Sequence, residues 1–352
     1  MNRNYTLDVL KLVFAYIVAF FHVGTTISPG PTVAVQIFFI LSGFFLAQKF
    51  YRSDPDYTAW NYTLDHVKGL YPHYLFSHLV FFLYLLARAV LYFLRSPSAD
   101  GAWEILRSCY NQIPDLLFLQ SSYTFHDSIN YPLWQISALL IAGYFVFALL
   151  RYNEKLSRQI LFPGAVLMLL SLLQSGVDLW ANFGPIYLPL LRAFGPMCIG
   201  VLTFYFSTTR YWADLQRHGT LLNLCALLGL AGIFVFGDHA NIFLISMPVV
   251  ILSCCMEDTW LNFLLNRRCF RYCGKFSYAV YLNHALIERI TCARLFPNIR
   301  PLGPRELLVY FLLLTVYSML TQFLVEKGMA WLRSRKITDS AATHPNSDTP
   351  QR

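Results

Sequence analysis

The sequence predicts an all-α polytopic membrane protein, a bundle of about ten transmembrane helices with both termini in the cytoplasm. Composition is the first reason: of 352 residues 56% are hydrophobic and 17% aromatic, and only 13% are charged, about half the share typical of soluble domains. Hydropathy is the second. Apolar stretches long enough to cross a bilayer fall near 7–27, 33–50, 70–94, 132–150, 160–180, 186–207, 220–237, 240–256, 276–293 and 306–328. The third is where the cations lie. With the N-terminus inside and sides alternating, 18 of the 27 basic residues fall in inside segments, while the outside segments hold only Arg95, Arg107, Arg294, Arg300 and Arg305. This bias is the positive-inside pattern, and an odd number of spans would destroy it. The net charge of +8 is therefore an orientation signal, and no nucleic-acid partner is expected from it.

The first stretch has Asp8 at its entrance and no small-residue cleavage pattern after it, so it reads as a retained helix and not as a cleaved signal peptide. Inside it stand Lys11 and His22. Eleven residues of helix give roughly 20° of net rotation and roughly 16 Å of rise, so the two project from one face at different depths. A cation and an imidazole are costly to keep in hydrocarbon, and the default reading is a functional site. The alternatives are a packing histidine bonded to a nearby carbonyl and a lysine that snorkels to the interface.

The second stretch carries Ser42-Gly43 among bulky residues, a place where a neighbouring backbone can approach closely. Trp134 opens the fourth, where aromatic belts are common and sugar stacking is the other option. Arg192 lies between Pro189 and Pro196, in what reads as a broken helix lining a cavity with an anionic group to bind. His284 and Glu288, four apart, form a polar pair on one face of the ninth stretch. Residues 1–336 form one membrane domain, and the polar tail 337–352 is expected to be disordered. The eight cysteines are scattered, with no disulfide framework, and the Cys269/Cys273 pair lacks the histidine or second pair that a metal site needs. No metal is expected.

Four motifs resemble those of one family. Leu7-Asp8-Val9-Leu10-Lys11 followed by His22 resembles the first-helix signature of the membrane acyltransferase 3 family, with lysine in the place of an arginine. Ile37 to Leu46, Asn130-Tyr131-Pro132-Leu133-Trp134 and Gly274 to His284 resemble its second-, fourth- and penultimate-helix motifs. They occur in family order across nearly the whole chain. Before the third helix, where relatives carry two arginines, this chain has His66 and Lys68; the acidic residue many relatives carry after the Trp motif is Ala138.

The resemblance implies transfer of an acyl group, usually acetyl from acetyl-coenzyme A, to a hydroxyl of a cell-envelope polysaccharide or lipid-linked glycan. It also implies an enzyme of the bacterial cytoplasmic (inner) membrane, in contact with membrane lipid. His22 would be the base or acyl relay, since a neutral imidazole can take a hydroxyl proton or carry an acyl group. Lys11 would counter a donor phosphate as a point charge. Lys68, His66, Arg192, Trp134, Ser42, His284 and Glu288 are the candidate substrate-binding residues. A transporter or flippase for a lipid-linked sugar uses similar intramembrane charges, but the internal repeats such folds display are not evident.

Overall fold

The computed structural model describes residues 4–24, 30–122, 128–176, 182–183, 186–237, 241, 243–256 and 259–343. In chain order the helices are α1 (Tyr5–His22), α2 (Pro31–Arg52), α3 (Ala59–Arg95), α4 (Ala99–Tyr110), α5 (Gln112–Leu116), α6 (Trp134–Tyr152), α7 (Glu154–Leu156), α8 (Phe162–Gln174), α9 (Leu188–Phe206), α10 (Arg210–Gln216), α11 (Gly219–Phe236), α12 (Phe243–Cys254), α13 (Trp260–Leu265), α14 (Cys273–Ile290) and α15 (Pro304–Thr343). A two-residue antiparallel pair, β1 (Asn182–Phe183) with β2 (Ile186–Tyr187), precedes α9. Local chemistry marks the helix starts. Asn4, Thr58, Ser98 and Asn153 each accept a backbone N–H in the first turn that follows, satisfying donors that a helix N-terminus leaves open.

Among the described residues, eight helices are long and apolar enough to span a membrane: α1, α2, α3, α6, α7 continued into α8, α9, α11 and α15. The two other expected spans are also helices. α12 is apolar but short, and α14 carries Lys275, Glu288 and Arg289, a charge load that keeps it out of these eight. Helix directions agree with alternating sides. α1 and α14, the first and ninth spans, run parallel: Lys11 lies at the level of Gly274 and Ser277, and His22 at the level of His284. α2 and α9, second and sixth, are parallel too, with Gly43 at Met197 and the ring of Tyr51 at Phe204 and Tyr205. α15 returns antiparallel to α14, Tyr310 reaching His284 and Glu326 reaching Lys275. Lys49, Arg52, Arg151 and Arg267 gather at one end, which the positive-inside rule turns to the cytoplasm; it is called the basic end below.

The tightest joint is α2 against α9. Gly43 and Gly200 each face the other helix's backbone, so the two chains touch without side chains between them. One expectation needs correction. The helix around Arg192 is continuous, because Pro189 occupies its first turn, where a missing N–H costs nothing, and Pro196 is accommodated inside it. The last helix runs to Thr343, and 344–352 lie outside the described residues.

α14 is pinned on one side by polar groups. The Ser77 hydroxyl of α3 lies 3.0 Å from the carbonyl oxygen of Leu282 and 2.8 Å from Oδ1 of Asn283; Asn283 donates to Thr321 of α15 at 2.7 Å, and Asn130 donates to Leu282 at 3.2 Å. Beside it, α5 folds in from the far end. Tyr74 and Gln120 donate to the backbone carbonyl of Asp115 at 2.5 and 3.2 Å, and Ser128 donates to its carboxylate at 2.8 Å. Burial pushes the Asp115 carboxyl up to about 6 despite these bonds.

Candidate active site

The site is built on one face of α14. Gly274, Ser277, Tyr278 and Tyr281 recur at helical spacing and line an elongated cavity of about 230 Å³, together with Phe38, Leu41, Ser42 and Phe45 of α2, Leu70 of α3, Gln135, Ile136 and Leu139 of α6, and Lys11. Both stripes, on α14 and on α2, cover eight residues from first to last, seven steps that make roughly 10 Å of helix. The gallery is mostly apolar, and its hydroxyls are already used: Ser42 donates to Phe38 at 2.8 Å and Ser277 to Gly274 at 2.9 Å. An apolar occupant suits it better than a charged one.

Lys11 stands at the basic end of this gallery. Its ammonium is 3.5 Å from Oδ1 of Asp8 and 4.6 Å from the centre of the Phe45 ring. Lys11 and Phe45 also line a wider cavity of about 630 Å³, whose walls include Asn4, Asp8, Gln48, Arg52, Asn262 and Asn266. The two spaces therefore share a neck, with polar groups on the wider side and apolar groups on the narrower.

At the other end of α1 the ring of His22 stacks on His284 at 5.2 Å and meets the edge of Tyr131 at 4.8 Å. His284 is fully buried. Its Nδ1 lies 2.6 Å from the carbonyl oxygen of Tyr281; a carbonyl can only accept, so Nδ1 carries the proton and Nε2 keeps its lone pair. One turn further, Glu288 pairs with Arg300 at 2.5 Å, the carboxylate largely buried and the guanidinium 60% exposed. Gly274, Ser277, Tyr281, His284 and Glu288 thus form a single line along α14 from the basic end to the far end.

The other sequence candidates are arranged as follows. Arg192, buried, lies with its guanidinium 5.4 Å over the ring of Trp134. These two meet each other at the far end and do not line the gallery, although Gln135 next to Trp134 does. Ser42 lines it, and Gly43 makes the helix crossing. His66 bonds the carbonyl of Tyr62 at 3.0 Å and packs on that ring. Lys68 is exposed, so this pair stands apart from the gallery. Tyr281 and Tyr131 are not among the sequence candidates, yet both touch the histidine pair. The signal for Tyr281 was present: it stands three residues before His284 on the same face.

A family model described as an acyltransferase domain matches residues 4–326. The chain belongs to the acyltransferase 3 family. As a membrane acyltransferase it needs a path that brings an acyl donor and an acceptor together within a helix bundle, and membership leaves the transporter reading without support. The chain matches no curated protein and no solved structure.

Proposed function

We propose that this acyltransferase moves an acetyl group from acetyl-coenzyme A, bound from the cytoplasm, to a hydroxyl of a cell-envelope polysaccharide presented at the far end of the bundle, in the cytoplasmic membrane of a bacterium. The observation that carries this reading is the line along α14, which joins a cation-necked gallery at the basic end to a histidine pair at the other. The donor's anionic head suits the wide, polar side of the neck, where Lys11 and Arg52 offer positive charge. Its thioester arm suits the apolar gallery, whose volume of about 230 Å³ favours a small acyl group over a long one.

His22 acts as the general base. Its imidazole takes the acceptor's proton while the hydroxyl oxygen bonds to the thioester carbonyl carbon; the C–S bond breaks, and the thiolate receives the proton from the imidazolium, which returns the ring to its neutral form. His284 holds the His22 ring by stacking, and its own tautomer is fixed by the Tyr281 carbonyl. The Glu288–Arg300 pair at the far end flanks the acceptor's approach.

The test is a comparison of envelope glycan ester content, by mass and NMR, in cells with the parent protein, with His22→Ala and with none. Loss of one ester in the variant, at unchanged protein level in the membrane, is the expected result. Full acetylation in His22→Ala cells would remove this residue from the reaction.

A further inference from the structure

Tyr281 is where the gallery meets the histidine pair. Its ring closes the gallery's far end and lies 6.3 Å from Phe38 on one side and 5.5 Å from His284 on the other. The residue is 6% exposed. Its hydroxyl donates to the carbonyl of Pro132, in the short 3-10 turn Tyr131–Leu133 that leads into α6. The preceding residue of that turn, Tyr131, touches His22 and is 36% exposed at the far end. A single hydrogen bond therefore ties the ring between two compartments to a turn whose next side chain is accessible to an acceptor.

We propose that Tyr281 is a partition between the thioester gallery and the histidine pair, and that the Tyr131–Pro132 turn is an acceptor-sensing latch: a sugar ring docked on Tyr131 draws Pro132 away, frees the Tyr281 hydroxyl and lets the thioester carbonyl meet the acceptor at His22. This rests on the transfer reading above. An aromatic ring with one wet edge is a suitable platform for a sugar, and one neutral hydrogen bond is weak enough for docking to break.

The partition solves a chemical problem. Water from the far side would consume an open thioester: its oxygen bonds to the carbonyl carbon, the C–S bond breaks, the thiolate gains one water proton, and free carboxylic acid and thiol result. Water differs from an acceptor hydroxyl only in what it can dock against, so a latch read through Tyr131 discriminates where the histidine alone does not.

The experiment uses purified full-length protein in liposomes with acetyl-coenzyme A. Thiol release is measured without acceptor, and ester formation is measured with envelope polysaccharide extracted from cells lacking the protein. Tyr281→Phe keeps the ring and drops the hydroxyl; the ratio of acceptor-free thiol release to transfer is expected to rise at least tenfold, with thermal unfolding close to the parent. Tyr131→Ala is expected to raise the acceptor KM at least tenfold with a much smaller change in kcat, a split that a merely structural loss would not produce. A release-to-transfer ratio in Tyr281→Phe within twofold of the parent overturns the latch. If the parent itself neither releases thiol nor forms ester, the transfer reading is overturned, and the latch with it.

Discussion

Replacing Gly43 by alanine puts a methyl group where α2 and α9 meet backbone to backbone. An added Cβ would lie 1.9 Å from the carbonyl oxygen of Met197 and 2.7 Å from its Cα, against 3.4 Å or more for ordinary contact. The helices must therefore part by roughly 1.5 Å, since backbone has no rotamer through which to yield. Overpacking of this kind costs about 1–3 kcal/mol, and the all-backbone contact argues for the upper end. The consequence reaches the site, because α2 supplies Phe38, Leu41, Ser42 and Phe45 to the gallery. Displacing a positioning surface by about 1 Å costs about 100-fold in rate. Gly43→Ala should insert into the membrane, unfold at lower temperature than the parent, and transfer acetyl about 100-fold more slowly in liposomes. Gly328→Ala on α15, where nothing lies within 4 Å of the added atom, is the control. Transfer by Gly43→Ala within threefold of the parent would refute the link from the crossing to the gallery.

Two further outcomes follow from single side chains. Lys11→Met keeps the stem and loses the charge, so the KM for acetyl-coenzyme A should rise by about 10- to 100-fold, the range set by one charge-assisted hydrogen bond of about 1.5–3 kcal/mol, with Lys11→Arg recovering most of it; equal KM values in steady-state assays would take the donor away from the neck. Asp115, raised from 3.8 to about 6 by burial, favours the fold when protonated. The stability this represents, about 3 kcal/mol for a shift of about two pH units, is complete below pH 4 and lost as pH rises through 6. Hydrogen exchange across 112–122, corrected for intrinsic rates, should therefore show weaker protection at pH 7.5 than at pH 5, and Asp115→Asn should abolish the difference; a parent profile flat between those pH values would contradict the reasoning.

Much of the fold was legible because lipid leaves few options: backbone polar groups must be satisfied internally, so each long apolar stretch had to be a helix. Hydropathy found α14 as well, although Lys275, Glu288 and Arg289 lower its average; of these, Glu288 stands on the gallery line and Lys275 pairs with Glu326 of α15. Gly43 could be recognised as a place for close approach, but its partner Gly200 is more than 150 positions away and nothing local names it. The same limit applies at the site. Lys11 and His22 share one helix, so their alignment could be read from residue spacing, whereas Tyr131 meets His22 from a different helix and His66 with Lys68 stands apart from the gallery for reasons of packing. Arg192 was expected beside a helix break; the proline placement that implied the break is tolerated because one ring sits in the first turn.

The polar load of α14 has a physical logic that ties its two faces together. Asn283 is two residues, roughly 200° of rotation, from Tyr281, so the amide and the gallery line lie on nearly opposite sides of the helix. Ser77, Asn130 and Thr321 hold the Asn283 side from α3, the α6 turn and α15. Breaking any of these leaves an unpaired polar group away from water, which is costly, so the helix cannot rotate freely about its axis. That restraint is what keeps Gly274, Ser277, Tyr281, His284 and Glu288 turned toward α1, α2 and α6. An all-apolar α14 would pack as well but would slide and turn at little cost. Asn283, an amide that an all-apolar span would lack, is what gives this helix a single orientation, and without a single orientation neither the gallery nor the histidine pair would be defined.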